Sequence, residues 1–354
     1  MRGMKFLTAA AVAVLVGSGA AGAADLDSTK LTYVGSWSGL VLFKQFEKPF
    51  WGETLPKDSG GKITVDVSTF DQMGLKGAEV FRLLDKAVFD IGATVADYTV
   101  QDSPELEGLD IPMIASEPKQ AHAAAMAYKP VVDDIMAQRF QAKVLAIVPY
   151  PAQVLFCNKP IKGLADIKGL KVRASGRSTA EFLTAAGAEG ITMAFSEVPG
   201  ALQRGVIDCA VTGTLSGYSA GWGEVSKVLY PLPIGGWDHV VTAISLKKWN
   251  ALGKDTQKFL LAEVAEKLEN PVWKAAEEDS VQGIACLSGK GQVACKHGKP
   301  GTMTVVEPTA EEMARARKLL LEKSLPAWAA RVDDVWVKRW NETIGKTVDL
   351  IAKK

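Results

Sequence analysis

Apolar and polar residues follow two alternating patterns along this chain, one typical of strands and the other typical of helices. Residues 62–68 (Lys-Ile-Thr-Val-Asp-Val-Ser) alternate with a period of two after a Gly-Gly pair, which predicts a strand with one buried face. Residues 42–55 instead carry aromatic side chains at helical spacing. By the same criteria we predict strands at 30–35, 88–94, 143–148, 152–158, 170–173, 191–194 and 206–211, and helices at 79–87, 121–139, 178–186 and 198–204.

The order of these elements predicts an α/β protein made of βαβ units with mixed, mostly parallel sheets. Such sheets bind ligands at the carboxyl ends of their strands. Towards the C-terminus the pattern becomes helical, with helices predicted at 249–280 (broken or kinked at Asn270-Pro271), at 310–323 (stopped by Pro326) and at 331–353. We expect these long helices to brace the sheets.

The first 24 residues have the pattern of a secretory signal peptide. Arg2 and Lys5 precede an apolar run at 6–16, and a run of Gly, Ser and Ala follows it. A membrane anchor is the alternative, but it needs about 20 apolar residues. We therefore expect cleavage near Ala23 or Ala24, and export to the periplasm.

Composition excludes several classes of protein. The 354 residues are enough for two domains. The 41 Lys and Arg are balanced by 40 Asp and Glu, which argues against a nucleic-acid partner. Only three histidines are present, and the sequence has no His-Glu-x-x-His motif and no Gly-rich nucleotide loop. A secreted α/β hydrolase is therefore the less favoured alternative, and we expect neither a metal nor another cofactor.

Export makes disulfides plausible among the four cysteines. Cys286 and Cys295 flank a Gly-containing segment and are predicted to pair. A zinc site, the alternative, would need two further ligands, and only His297 is near. Cys157 and Cys209 are interpreted as buried small apolar residues, with a second bridge between them left open.

Several stretches, in this order, resemble the solute-binding subunits of TRAP (tripartite ATP-independent periplasmic) transporters, of the DctP type. The resemblance covers about residue 30 to the 320s. It is carried by 61–67 with Gln72-Met-Gly74, by 90–92 and 103–112, and most specifically by Asn158-Lys-Pro-Ile161, 166–173, 195–197 and 201–208.

This resemblance implies a periplasmic binding protein with two α/β lobes that close over one small molecule by hinge motion. It implies a first lobe of 25–152 plus 213–245, and a second lobe of 153–212 plus part of 246–354. The protein would have no catalytic activity. It would deliver a small organic carboxylate to the integral membrane permease subunits of a TRAP transporter.

The resemblance also places the arginine that binds the ligand carboxylate at Arg173. A guanidinium meets a carboxylate with two parallel hydrogen bonds. Without the resemblance, Arg173 would be interpreted as a surface charge at the end of a strand. Gln153 stands where acidic-sugar binders of the family have a second arginine, and Thr212 stands in place of a more polar motif. A highly polar sugar acid is therefore disfavoured.

In place of the polar groups of the acidic-sugar binders, this chain has tryptophans in loops that contain Gly and Ser. Trp37 and Trp237 are the preferred candidates to cover a ligand, and Trp222 has a similar setting. Weaker candidates are Phe70, Tyr98 and Tyr150. These residues favour an aromatic or hydrophobic monocarboxylate. The alternative is a 2-oxo or 2-hydroxy acid bound with a divalent cation, in which Gln153 and Asp238 would contribute oxygen ligands.

Overall fold

A computed structural model describes residues 26–291 and 294–354. The predicted signal peptide at 1–24 lies outside the described residues. The strands are β1 (Thr29–Gly35), β2 (Ile63–Thr69), β3 (Ile91–Val95), β4 (Ala142–Val148), β5 (Gln153–Cys157), β6 (Lys171–Ala174), β7 (Glu189–Thr192), β8 (Cys209–Gly213), β9 (Val228–Tyr230), β10 (Val240–Ser245) and β11 (Thr304–Val305).

Helices pack around these strands. They are α1 (41–58), α2 (Val80–Asp85), α3 (Pro118–Phe140), α4 (Arg177–Ala185), α5 (Val198–Gln203), α6 (Thr214–Ser219), α7 (Leu246–Ala251), α8 (254–288), α9 (310–331) and α10 (334–348). Short 3₁₀ turns at Ala96–Thr99, Pro104–Leu109, Phe195–Glu197 and Trp222–Glu224 connect several of them.

The strands form two sheets, and we call each sheet with its helices a lobe. In the described residues the first sheet has the order β2-β1-β3-β10-β4, and the second has the order β11-β9-β5-β8-β6-β7. Both sheets are mixed, as predicted, because β10 and β5 run antiparallel to their neighbours. The α/β architecture predicted from the sequence is confirmed.

The chain crosses between the lobes after β4 and again after β9. The first crossing is residues 149–152 and the second is residues 231–239. The sequence did not reveal β10, because all six of its residues are buried and it lacks a period of two. The resemblance assigned residues 213–245 to the first lobe. Within this range, β9 pairs with the second sheet and β10 pairs with the first.

The stop predicted at Pro326 is wrong, and of the break or kink predicted at Asn270-Pro271 the break does not occur. The α8 helix continues through Pro271, and α9 continues through Pro326 to Arg331. In each case a widened π-type turn, at Ala265–Glu269 or at Leu320–Ser324, lies just before the proline. Proline lacks an N–H and its ring collides with the carbonyl one turn earlier, so a widened turn accommodates it within the helix.

The C-terminal helices tie the two lobes together. Trp328 and Trp340 donate their indole N–H groups to the carbonyls of Pro104 (3.2 Å) and Gly108 (2.7 Å) in the first lobe. Arg331, also on α9, donates to Glu181 of α4 in the second lobe at 2.7 Å. The expectation that these helices brace the sheets is therefore realised by specific contacts.

The cysteines form two disulfides within the described residues. Cys286 pairs with Cys295, which confirms the prediction. Cys157 pairs with Cys209, the second bridge that the sequence left open, and both residues are buried as expected. They are direct cross-strand partners in the antiparallel β5–β8 ladder, where facing side chains lie close together.

Candidate functional site: a buried arginine between the lobes

Arg173 lies near the carboxyl end of β6 and is fully buried. Its Nε donates to the carbonyl of Met193 at 2.9 Å, and its Nη1 donates to the carbonyl of Val211 at 2.8 Å. Its Nη2 has no hydrogen-bond partner among residues 26–291 and 294–354. The guanidinium is thus held by two carbonyls with one donor nitrogen left over.

The surroundings of Arg173 are both apolar and acidic. Its guanidinium carbon lies 5.8 Å from the ring centroid of Trp222, a cation–π arrangement. Burial lowers the pKa of Arg173, while nearby Tyr98, Asp238 and Asp97 raise it. No carboxylate forms an ion pair with this arginine in the described structure. Its positive charge is therefore available to an anion.

Gln153 and Asp238 lie on the same side of the site. Gln153, the first residue of β5, accepts a 3.4 Å hydrogen bond from Ser175 Oγ through its Oε1. Asp238 is buried, has a left-handed backbone (φ +44°), and interacts with Ser175 and Gln153. Hydrogen bonding from Ser175 and Gln153 lowers the pKa of Asp238 and so favours its carboxylate form.

Two buried carboxyl groups, those of Asp238 and Asp97, belong to this site, and both have a raised pKa. Burial, with Asp110 nearby, raises the pKa of Asp238 to about 7, and Arg173 opposes this rise. Burial also raises the pKa of Asp97 well above its usual range, with Asp110 adding to the effect. Desolvation disfavours a carboxylate, and neighbouring carboxylates disfavour it further. A ligand that brings a hydrogen-bond donor would relieve both effects.

A row of aromatic rings crosses between the lobes beside Arg173. Trp37 of the first lobe lies 5.6 Å from Phe195 of the second lobe, centroid to centroid. Phe195 stacks on Trp222 at 5.1 Å. The indole N–H of Trp37 donates to the hydroxyl of Tyr98 at 3.4 Å. Within this row, the ring of Trp222 lies over the guanidinium.

A crevice of about 260 Å³ opens at this point between the lobes. It is lined from the first lobe by Lys76, Ala78, Asp97, Tyr98, Val100 and Gln101, and from the second by Ser175, Gly176, Arg177, Thr192, Met193 and Ala194. Ligand pockets commonly lie between domains and combine apolar walls with a few polar groups. About half of the residues that line this crevice are polar or charged, and Arg173 itself is not among them.

Not all the predicted site residues meet here. Thr212 is buried on β8, and the strand register puts it on the same face of the second sheet as Arg173. Trp237 points elsewhere: its indole N–H donates to the carbonyl of Ala115 at 2.9 Å, and its ring lines a separate cavity of about 830 Å³. Trp222, and not Trp237, lies beside Arg173.

Four residues that the sequence analysis ranked low or left out also reach the site: Asp97, Tyr98, Ser175 and Phe195. Asp97 and Tyr98 directly follow β3, and Ser175 directly follows β6. The rule that ligands bind at the carboxyl ends of strands could have found these three. Phe195 begins the stretch 195–197 that carries part of the family resemblance, but no sequence signal places its ring beside Trp222.

An ion-pair cluster next to the crevice joins the lobes. Glu107 is fully buried in the first lobe and accepts from Arg177 Nε at 2.6 Å and from Arg331 Nη2 at 2.7 Å. Arg177 begins α4 in the second lobe. Such buried pairs are costly to break because one charge would be left without its partner.

A Gly-x-Ser-x-Gly sequence at 217–221 matches the motif of the hydrolase nucleophile elbow. The motif requires a serine at a sharp strand-to-helix turn. Ser219 instead ends helix α6, and its Oγ donates to the carbonyl of Ser216 at 3.2 Å. The geometry of a nucleophile elbow is therefore absent at this serine.

The described residues contain neither a cluster of metal-ligating side chains nor a helix able to span a membrane. The described residues contain no group of three or more His, Cys, Asp or Glu side chains placed to hold a metal ion. Among those residues, no helix has both the length and the apolar character needed to cross a bilayer. The cation-bridged alternative thus lacks a ready-made set of protein ligands in this part of the chain.

Comparison with known proteins identifies the family. The model of the family described as bacterial extracellular solute-binding protein, family 7 (DctP), matches residues 42–319. A solute-binding protein of Albidiferax ferrireducens is 26% identical over 216 residues, which are 60% of this chain. That alignment spans 63% of the relative, less than two thirds of its length.

Two solved structures share the fold. One is DctP7 of Bordetella pertussis, an extracytoplasmic solute receptor binding pyroglutamic acid, with 20% identity, a TM-score of 0.78, and coverage of 89% of this chain and 99% of that one. The other is a TRAP periplasmic solute-binding protein of Desulfovibrio salexigens with bound orotic acid, with 19% identity, a TM-score of 0.78, and coverage of 90% and 99%. The chain belongs to the DctP family of bacterial extracellular solute-binding proteins, family 7.

Proposed function

We propose that this protein captures a compact monocarboxylate with a flat or apolar body and delivers it to the permease subunits of a TRAP transporter. Arg173 would bind the ligand carboxylate. The observation that carries this proposal is the Nη2 of Arg173, a charged donor that is buried and has no partner among the described residues.

The chemistry of a guanidinium supports a carboxylate as the ligand. Nε and Nη1 are already bound to carbonyls, which fix the plane of the guanidinium. The ligand would therefore meet an oriented donor rather than a flexible one, and orientation reduces the entropy lost on binding. Burial strengthens the pairing because the local dielectric is low.

The aromatic row supports an apolar or flat ligand body. Trp222 and Phe195 lie beside the guanidinium, and Trp37 approaches from the other lobe. Indole and phenyl faces pack well against planar groups and exclude water. The printed ligands of the two similar structures, pyroglutamic acid and orotic acid, are both small ring carboxylates and agree with this proposal.

Removal of residues 1–24 by a signal peptidase completes the proposal, since a receptor for a periplasmic ligand must be exported. Mass spectrometry of protein recovered from a periplasmic fraction would give the mature N-terminus. We expect it at residue 24 or 25, and a protein that retains Met1 would contradict cleavage.

The site assignment is tested by isothermal titration calorimetry against a panel of small carboxylates, including pyroglutamate, orotate and benzoate. Arg173→Lys keeps the positive charge but loses the planar fork. Unpairing a buried charged hydrogen bond costs about 3–5 kcal/mol, so we expect affinity to fall about 10²- to 4 × 10³-fold.

Arg317→Lys is the matched control. Arg317 is also partly desolvated, with its pKa lowered by burial, and it donates to the carbonyl of Met113 at 2.5 Å. We expect this variant to bind like the wild type. Equal affinity of Arg173→Lys and wild type would overturn the assignment, and binding that disappears in EDTA would favour the cation-bridged alternative.

A further inference from the structure

We infer that an ion pair between Lys76 of the first lobe and Glu197 of the second holds the lobes closed and sets how long the ligand stays bound. We call this pair the latch. The inference rests on the proposed function, because a receptor must keep its ligand until it meets the permease and must then release it. Lys76 and Glu197 are positioning residues in this role, since they act by holding the two lobes together.

The latch crosses between the lobes at the rim of the crevice. Lys76 Nζ lies 2.7 Å from Glu197 Oε1, and the two side chains are 59% and 49% exposed. Lys76 lines the crevice from the first lobe. Ala194 lines it from the second lobe, and its carbonyl accepts from the N–H of Glu197 at 3.1 Å. Opening of the crevice therefore separates the two charges, and water can reach both.

The first-lobe half of the latch is held by its own loop. The N–H of Lys76 donates to Glu79 Oε2 at 3.2 Å, and the carbonyl of Gly77 accepts from Thr94 Oγ1 at 3.0 Å. Gly77 has φ +100°, and a Cβ there would lie 2.6 Å from the ring of Tyr98. The loop thus packs against a residue that lines the crevice, so the position of Lys76 is tied to the site.

The second-lobe half belongs to a segment that also holds the site. Glu197 ends the 3₁₀ turn that begins at Phe195, whose ring lies 5.6 Å from that of Trp37 in the first lobe. Just upstream, the carbonyl of Met193 accepts from Arg173 Nε at 2.9 Å. One short segment therefore links the arginine of the site, the aromatic contact between the lobes and the acidic partner of the latch.

An exposed ion pair suits a contact that must break and re-form. Its hydrogen bond raises the pKa of Lys76 and lowers the pKa of Glu197, so both groups stay charged near neutral pH. Exposed pairs are weak, because water screens them and two long side chains lose freedom. The buried Glu107 cluster differs, since breaking it leaves a buried charge without its partner. The latch can therefore open at each release without that cost.

Single-molecule energy transfer would time the closed state directly. Val88→Cys in the first lobe and Val206→Cys in the second give exposed thiols for two dyes, because both valines are exposed and the four native cysteines are paired. Pyroglutamate and orotate serve as probes. In Glu197→Gln we expect the closed state to last about two- to fivefold less time, while the rate of closing stays the same.

A double-mutant cycle and a salt series assign this change to the ion pair. Lys76→Gln should shorten the closed state by about the same factor as Glu197→Gln, and the double variant should shorten it no further, because only one pair can be lost. Lys76→Arg should keep the wild-type duration. Salt screens exposed charges, so raising NaCl to about 1 M should shorten the closed state of the wild type more than that of Glu197→Gln.

The ion pair of Lys30 with Asp66 is the matched control. Its atoms also lie 2.7 Å apart, and its side chains are 65% and 62% exposed. Both residues belong to the first lobe, on β1 and β2, so this pair does not cross the crevice. Asp66→Asn removes the same kind of charge as Glu197→Gln, and it should leave the duration of the closed state unchanged.

The outcomes separate this inference from the proposed function. Unchanged closed times in Glu197→Gln and Lys76→Gln would overturn the inference, as would additive effects in the double variant or an equal loss in Asp66→Asn. If Arg173→Lys binds every carboxylate like the wild type, the proposed function itself fails. The latch is then judged on the closed times of the ligand-free protein, and a chain that never closes overturns it.

Discussion

The backbone of Gly176 faces the carboxylate of Asp97 so closely that a Cβ at position 176 would lie 1.9 Å from Asp97 Oδ2. Gly176 precedes α4 in the second lobe, and Asp97 follows β3 in the first. Real Cβ atoms do not approach oxygen to this distance, because repulsion rises steeply below van der Waals contact. The approach of the two lobes at the crevice thus depends on the absence of a side chain at residue 176.

Gly176→Ala should weaken ligand binding by at least tenfold with little effect on stability, since the methyl group would hold Asp97 and the crevice apart. Calorimetry would give the affinity and thermal unfolding the stability. Gly39→Ala is a suitable control, as nothing in the described structure lies within 4 Å of a Cβ built at that glycine. Unchanged affinity in Gly176→Ala would show that the lobes do not need this contact.

Trp222 and Trp237 should differ in their effect on binding. Trp222→Phe weakens the cation–π contact with Arg173, which is worth about 0.5–2 kcal/mol, so we expect a loss of affinity of about 3- to 10-fold. Trp237→Phe removes the bond to the Ala115 carbonyl, and we expect it to lower the melting temperature while affinity stays the same. Titration of both variants with one carboxylate checks this, and a larger affinity loss in Trp237→Phe would contradict it.

Glu47 should make stability depend on pH. It is fully buried, accepts from the N–H and Oγ of Ser36 at 2.9 Å each, and burial raises its pKa from 4.5 to about 7. A raised pKa means that the folded state binds the proton more tightly than the unfolded state. Its contribution to stability is therefore complete below about pH 4.5 and is lost as the pH rises through about 7.

Glu47→Gln removes this titration. Between pH 4.5 and 8, the free energy of unfolding of the wild type should fall relative to that of Glu47→Gln by up to about 3 kcal/mol. Denaturant unfolding at several pH values measures the difference, in which other titrating groups largely cancel. The exposed Glu53→Gln should show no such relative change, and parallel pH profiles for Glu47→Gln and wild type would refute the expectation.

The two disulfides should contribute unequally to stability. Cys157–Cys209 closes a segment with a sequence separation of 52, whereas Cys286–Cys295 closes one of only 9. By the loop-entropy relation, removing the first should cost about 4 kcal/mol and removing the second about 2.5 kcal/mol. Double Cys→Ala variants of each pair, unfolded in urea, test this order. A larger loss for the Cys286–Cys295 variant would contradict it.

Local patterns predicted most of the strands with small errors in their bounds. The strand at 62–68 appears as β2, and 143–148 appears within β4. The strand predicted at 206–211 begins later, at Cys209, because the preceding residues belong to the turn after α5. Buried strands such as β10 show no alternation, so the sequence offers no periodic signal for them.

The sequence by itself determined the α/β class, the family and the pairing of Cys286 with Cys295, because each depends on residues that are near in sequence or in a set order along the chain. Tertiary structure alone decided that Cys157 meets Cys209, that Trp222 lies over Arg173, and that Asp97 reaches Gly176. These pairs are far apart in sequence, and strand register and the two crossings between lobes bring them together. Local periodicity encodes which face of an element is buried but not which distant residue it will face.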